Sequence, residues 1–506
     1  MASREQLEAE LASPHAVTAT ALATMALAAL DHDLCEAVEV RLERELAAGL
    51  ADDRRLWQAL GLARRGLQDS AAAHAAFLRA AALAPRDPLI AHSVARTALE
   101  AGFPAAALFE RAGALAPADA AIILGRAAAR MAEGEGGQAR ADLVDVLSAN
   151  PGWLEGHATF AKITASSTPD EDPGKSLRAA LARFPRDASL WFALIRTAIE
   201  RQDYAGALGL VEKARSALGA VPELTRIEAV CHGELGDPAH ALAIFARLPA
   251  PDSASITLGP LRNLIRLERF DQALLLAEQA FDAQQDRTLW PYRALLWRVM
   301  GDPRWDWLEG DPRMVGIYDL SGVLGNMADL VARLRALHCG VGQPLDQSVR
   351  RGSQTDGNLL ARAEPELRAL RAAVLDAVGH YVAQLPPAVG GHPTLIARRS
   401  PLRVAGAWSV RLTDHGFHVD HVHLQGWISS CLYLALPQDI GAGDGHDGWL
   451  TLGECRALLP RLDGFRVIEP KLGRLVLFPS LTWHGTRPFA RGERLTVAFD
   501  IARPPA

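Results

Sequence analysis

The chain has 506 residues, 49% of them hydrophobic and 22% charged, which fits a globular protein of two to four domains. A formal net charge of −6 weighs against a nucleic-acid-binding surface, and no run approaches the roughly 18 apolar residues of a membrane span. Cys35, Cys231, Cys339, Cys431 and Cys455 form no CxxC pair, and the N-terminal residues lack a basic-then-apolar leader, so a cytoplasmic protein with reduced thiols is expected.

Residues 1–310 read as helical repeats. Pro85, Pro117, Pro151 and Pro185 are spaced by 32, 34 and 34 residues, within text that itself repeats: AFLRAAALAPRDP, LFERAGALAPADA, LRAALARFPRDASLW. Each proline follows a helical pattern and separates one amphipathic helix pair from the next. A pair every 34 residues resembles the tetratricopeptide repeat, and about seven units fit between residues 20 and 300. Such pairs bury their apolar faces only by stacking, which makes a solenoid with a concave groove. His92, His157 and His232 are isolated at helical spacing and read as structural. A helical junction is expected over 311–345, preceded by Trp297, Trp305 and Trp307 as a packed cap.

Residues 346–506 read as the second domain. A polar stretch holding Ser348, Arg350, Gln354 and Thr355 reads either as a loop at a substrate site or as a self-satisfied loop. Beyond Pro387 the period changes from helix to strand. TLIARRS, GAWSVRL, WISSCLYLAL, GWLTLGE, FRVIEP, RLVLFPS and LTVAFDI are short runs between Gly, Pro and Asp turns, which suit a small jelly roll with a site at its mouth. His392, His415, His446 and Asp447 read as turn or solvated loop residues, with a lid as the minority reading of GAGDGHDG.

The chemistry concentrates in GFHVDHVHLQGW and in FPSLTWHGTRPFARGERLTVAFDI. Alternate residues of an extended chain point the same way, so His418 with Asp420, or His421 with His423, can supply two ligands to one metal. His484 is the distal third ligand for either pair. Three facial ligands leave open positions on a non-haem Fe(II) centre. Arg494, ten residues on, can pair bidentately with the distal carboxylate of 2-oxoglutarate, aided by Thr496 and Tyr433. The bland alternative for Arg494 is an ion pair with Glu493 or Asp500.

These pieces, Gly416-Phe417, His421-Val422-His423, Trp427-Ile428-Ser429, Tyr433, Gly473-Arg474-Leu475, Phe478-Pro479-Ser480, His484-Gly485 and Gly492-Glu493-Arg494, resemble the 2OG-Fe(II) oxygenase family. The resemblance implies an all-α tetratricopeptide-like solenoid followed by a double-stranded β-helix (jelly-roll) oxygenase domain with flanking helices. It favours His421, His423 and His484 as ligands over His418, Asp420 and His484, and allows Asp420 to support a ligand imidazole. It implies Fe(II), 2-oxoglutarate and O2, allows for ascorbate, and suggests hydroxylation of a peptide or protein held in the repeat groove. The alternatives are a repeat scaffold carrying a degenerate jelly roll, and a cupin-like three-histidine dioxygenase that does not use 2-oxoglutarate.

Overall fold

The aspartate two residues after a periodic proline decides where the next helix begins. Asp87 accepts the backbone N–H groups of Leu89 (3.0 Å) and Ile90 (3.2 Å), starting helix Pro88–Ala101. Asp119 does the same for Ala121 and Ile122, and Asp187 for Ser189 and Leu190, each at 2.9 and 3.2 Å. Each bond satisfies a donor that the helix cannot satisfy internally. The Pro151 unit departs from this rule, because Trp153 stands at the cap position and makes no side-chain bond there.

The structure, a computed structural model, describes residues 3–505 apart from 14, 16, 51, 249–253, 281–286, 341, 346, 439 and 441–445. Eight helix pairs run from Ala19 to Gln279 among the described residues, one more than the proline spacing suggests. Most helices pack chiefly on the next in sequence, as stacked repeats do. Small residues permit the close approach: a Cβ at Gly61 would lie 2.7 Å from the ring of Phe77. No helix among the described residues is long and apolar enough to cross a membrane.

The chain divides into two compact units, one of residues 1–142 with 356–372, the other of 143–355 with 373–506. The first is helical throughout its regular structure. The second joins the later repeats to a β-domain with, among the described residues, nine strands: β1 (Gly316–Asp319), β2 (Val349–Gln354), β3 (Val404–His418), β4 (Gly426–Ala435), β5 (Leu450–Leu452), β6 (Arg466–Ile468), β7 (Arg474–Pro479), β8 (His484–Thr486) and β9 (Arg494–Ala502). A six-stranded antiparallel sheet runs β1-β7-β4-β9-β3-β2, and a three-stranded one runs β6-β5-β8. This is the jelly-roll arrangement.

Three expectations change. The stretch 311–345 is not purely helical, since β1 pairs with β7 and closes one edge of the large sheet. The polar stretch around Arg350 is a strand, β2, closing the other edge. TLIARRS lies outside every strand, because its neighbours are held by a side chain instead of a ladder. The Arg399 guanidinium donates to the carbonyls of Ile396, Val382, Leu385 and Pro386.

Within the second unit the last repeat helices and the β-domain share a core. Leu261, Ile265, Ala273 and Leu295 pack with Cys455, Leu458 and Trp483, and Trp483 Nε1 donates to the carbonyl of Pro291 at 3.0 Å. Trp290, Trp297 and Leu308 pack with Leu481. Two of the four tryptophans between 290 and 307, Trp290 and Trp297, thus fill space immediately beside the segment that carries His484.

Candidate metal centre

β9 shows how the site is assembled. Leu495, Val497, Phe499 and Ile501 are fully buried on one face of the strand. The alternate residues Arg494, Thr496, Ala498 and Asp500 take the opposite face, and the first three line a cavity of about 510 Å³. Val410 of β3, Cys431 of β4 and Phe478 of β7 line it from the same sheet, with Leu450 of β5 and Thr486 of β8 from the small one. The cavity therefore lies between the two sheets.

His421, His423 and His484 converge in it, each offering a ring nitrogen within 4.8 Å of the others. Backbone pairing sets this convergence: His421 N donates to His484 O at 2.9 Å, His484 N donates to His421 O at 3.0 Å, and His423 N donates to Ser480 O at 2.9 Å. Each Nδ1 has an acceptor. That of His421 donates to Val419 O (2.8 Å), that of His484 to Thr482 O (2.9 Å), and that of His423 to the Asp500 carboxylate (2.7 and 2.8 Å). With Nδ1 protonated, every Nε2 lone pair is left for a metal. Desolvation, followed by the neighbouring His423, pushes His421 down to about 3, and desolvation, followed by His421, pushes His484 well below the usual histidine value, which keeps both rings neutral.

Asp420 is turned elsewhere, which removes the ligand set His418, Asp420 and His484. Its side chain is buried, with Oδ1 2.6 Å from Arg456 Nη2 and Oδ2 accepting Arg456 Nε and the Arg456 backbone N–H, both at 2.8 Å. It makes no hydrogen bond to His421, His423 or His484 among the described residues; Asp500 is the carboxylate that accepts from one of them, His423. His418 lines the cavity but bonds through Nδ1 to the Ser348 hydroxyl at 3.0 Å, with its ring stacked 6.1 Å from that of His421.

Arg494 is 1% exposed and has no ion pair among the described residues. The two carboxylates that could have held it are engaged: Glu493 by Arg335 and Arg411, and Asp500 by His423. Its Nε and Nη1 have no hydrogen-bond partner, its Nη2 lies 3.8 Å from Cys431 Sγ, and its guanidinium sits 5.0 Å from the centre of the Tyr433 ring. Tyr433 is on the neighbouring strand β4, opposite Thr496 in the ladder, and its buried hydroxyl is also without a partner. A buried cation beside an idle hydroxyl is costly unless an anion completes it. A dicarboxylate co-substrate fits that requirement, and three converging imidazole nitrogens fit a divalent metal.

Of the other candidates, Ser348, Arg350 and Gln354 line the cavity, whereas Thr355 is buried and accepts the Ser409 N–H at 2.9 Å. His392 is a turn residue whose Nδ1 accepts from Thr394 N and Leu395 N. His415 and His446 are exposed, and most of the GAGDGHDG segment lies outside the described residues. Sequence reading weighed Asp500 only as a partner for Arg494. The missed signal is its even spacing from Arg494 and Thr496, which puts all three on one face of β9. It missed Ser429 as well, whose hydroxyl donates to Asp500 at 2.6 Å.

Residues 406–500 match the family described as "Putative 2OG-Fe(II) oxygenase". No curated protein matches the sequence. Similar solved structures include a tetratricopeptide repeat protein from Parabacteroides merdae, at 14% identity, covering 48% of this chain and 96% of that one with a TM-score of 0.31. HygX from Streptomyces hygroscopicus, solved with nickel and 2-oxoglutarate bound, is similar at 15% identity over 37% of this chain and 82% of its own, TM-score 0.28. A Pseudomonas putida prolyl-4-hydroxylase is similar at 17% identity over 38% and 94%, TM-score 0.26.

Proposed function

We propose that this chain is an Fe(II)- and 2-oxoglutarate-dependent dioxygenase that hydroxylates a peptide or protein substrate brought by its repeats. The observation that carries this reading is the presence, in one cavity, of three converging imidazole nitrogens and a buried arginine with no ion pair among the described residues. His421, His423 and His484 would hold the metal; Arg494, with Tyr433 and Thr496, would hold the far carboxylate of 2-oxoglutarate. When bound, Fe(II), 2-oxoglutarate and O2 supply oxidation of a substrate C–H bond, coupled to conversion of the co-substrate to succinate and CO2.

The chain's own residues prepare that chemistry. The carbonyls of Val419 and Thr482 and the carboxylate of Asp500 hold the three rings by Nδ1, which fixes their orientation and leaves the other ring nitrogen for metal. The negative charge of Asp500 makes the His423 ring a stronger donor. Arg494 fixes the co-substrate's orientation through a planar fork. Phe478, Leu450 and Val410 line the cavity with apolar surface and thin out bulk water at the reacting centre.

The test is anaerobic titration of Fe(II)-loaded protein with 2-oxoglutarate, read by calorimetry and by the visible charge-transfer absorption of the chelate. Binding and absorption in the wild type, loss of both in His484→Ala, and weakened binding in Arg494→Ala are expected. Fully metallated wild-type protein that takes up no 2-oxoglutarate would overturn the reading in favour of the cupin-like or scaffold alternatives.

A further inference from the structure

The cavity holds a second arginine that neither metal nor co-substrate uses. Arg350, on edge strand β2, lines it together with Ser348, Gln354 and Trp408. Its Nη1 donates to the carbonyls of Gln347 (2.7 Å) and Val349 (2.8 Å). Among the described residues no carboxylate pairs with it, and the remainder of its fork has no partner. Desolvation holds its pKa below the usual guanidinium value, against the opposing influence of Tyr204.

The repeats complete the same cavity. Helices Ala188–Glu200 and Tyr204–Leu218 belong to one helix pair, and Ile199, Glu200, Gln202 and Tyr204 from its turn form part of the cavity wall. Gln202 adopts a left-handed conformation (φ 62°), which brings the chain sharply into the second helix. Glu200, the acidic group on that wall, lies 3.7 Å from Arg196 on its own helix. The repeat region thus contributes polar side chains directly to the pocket, besides any groove of its own.

We propose that Arg350 receives a carboxylate of the substrate, so that the molecule oxidised is an acid-bearing amino acid or an acidic side chain of a peptide, with Gln202 and Tyr204 closing the outer wall of its site. This rests on the oxygenase reading for the word "oxidised", but the carboxylate site itself does not. The fork that stays free after Nη1 is anchored suits a carboxylate, for which the planar guanidinium is the matching donor. Arg494 and Arg350 would then divide the work, one for each carboxylate-bearing ligand.

Calorimetry on full-length, Ni(II)-loaded protein tests this with paired probes: free aspartate against asparagine, free glutamate against glutamine, and N-acetylated, C-amidated tripeptides centred on the same four residues. At least one acidic probe is expected to bind about tenfold or more tighter than its amide partner, the scale of a charge-assisted pair. Arg350→Ala should erase that difference and Arg350→Lys should restore part of it. Preference for the free amino acid would identify a small-molecule substrate, and preference for the blocked peptide a polypeptide one. Acid and amide binding equally, or neither binding, overturns the proposal, as does an Arg350→Ala variant that weakens 2-oxoglutarate as Arg494→Ala does. If 2-oxoglutarate fails to bind while the acidic probe still binds through Arg350, the oxygenase reading falls and the carboxylate site stands.

Discussion

His423 differs from its two partners in what holds its Nδ1. His421 and His484 donate to neutral carbonyls, but His423 donates to a carboxylate that also accepts from Ser429, whose hydroxyl lies 2.9 Å from that of Ser480. Asp500→Asn keeps the shape and removes the charge. Metal affinity should then fall about 10- to 100-fold, the range for such supporting carboxylates, in a competition titration of Ni(II) against a chelating dye. Unchanged affinity would mean that Asp500 serves folding alone. Arg494→Ala should cost about 1.5–3 kcal/mol of 2-oxoglutarate binding by calorimetry, the worth of hydrogen bonds to a charged group. The histidines were legible because two sit within a tripeptide and the third precedes a glycine in a strand-like run. Choosing between His421-x-His423 and His418-x-Asp420 was not possible from spacing, since both have the same period. What decides it is Arg456, 36 residues away in sequence, which captures Asp420.

At the level of elements, β3, β4, β5, β6, β7 and β9 could be read from the sequence because each lies in an alternating or β-branched run between Gly, Pro or Asp turns. β1, β2 and β8 could not. They have four, six and three residues, two of them close the edges of the large sheet, and β8 reads His-Gly-Thr, with little intrinsic strand preference. The repeats were legible through their prolines, yet the aspartates two positions later make the stabilising contact. Asp119→Ala should therefore lower stability by about 1 kcal/mol in chemical denaturation, the usual worth of a lost cap, without altering metal binding. Trp483 links the repeat core to the site, since it is 6% exposed, packs edge-on to Tyr292 at 5.6 Å and immediately precedes His484. Its replacement by alanine should cost about 3–5 kcal/mol, as for other large buried aromatics, and loosen metal binding in the same titration. Metal binding at wild-type affinity in the folded variant would show that backbone pairing with His421 suffices to place His484.

Over the whole molecule, several histidines on different segments are desolvated, and this sets the response to acid. Desolvation pushes His338 and His392 down to about 4 and His421 to about 3, from an ordinary value of 6.5. All three are lowered, so the unfolded chain binds protons that the folded chain refuses. Their contribution is intact above pH 6.5 and is lost as pH falls from there toward 4 and then 3. Each group can remove about 1.4 kcal/mol per pH unit inside that window, so a few units of acidification are comparable with the stability of a typical domain. Denaturation curves should therefore be nearly flat from pH 8 to 7 and weaken steeply below 6.5, with a slope of more than one proton. A slope near zero down to pH 5 would show that these rings are solvated in the native state. Metal would act on the same balance from the opposite side, because the proposed site needs the folded arrangement of His421, His423 and His484. Ni(II) at a hundredfold excess over its dissociation constant should add about 2.7 kcal/mol at pH 7.5. That gain should vanish in His484→Ala, while the acid sensitivity contributed by His338 and His392 persists. Separating the two effects in this way distinguishes stability conferred by the metal centre from stability that depends on neutral imidazoles outside it.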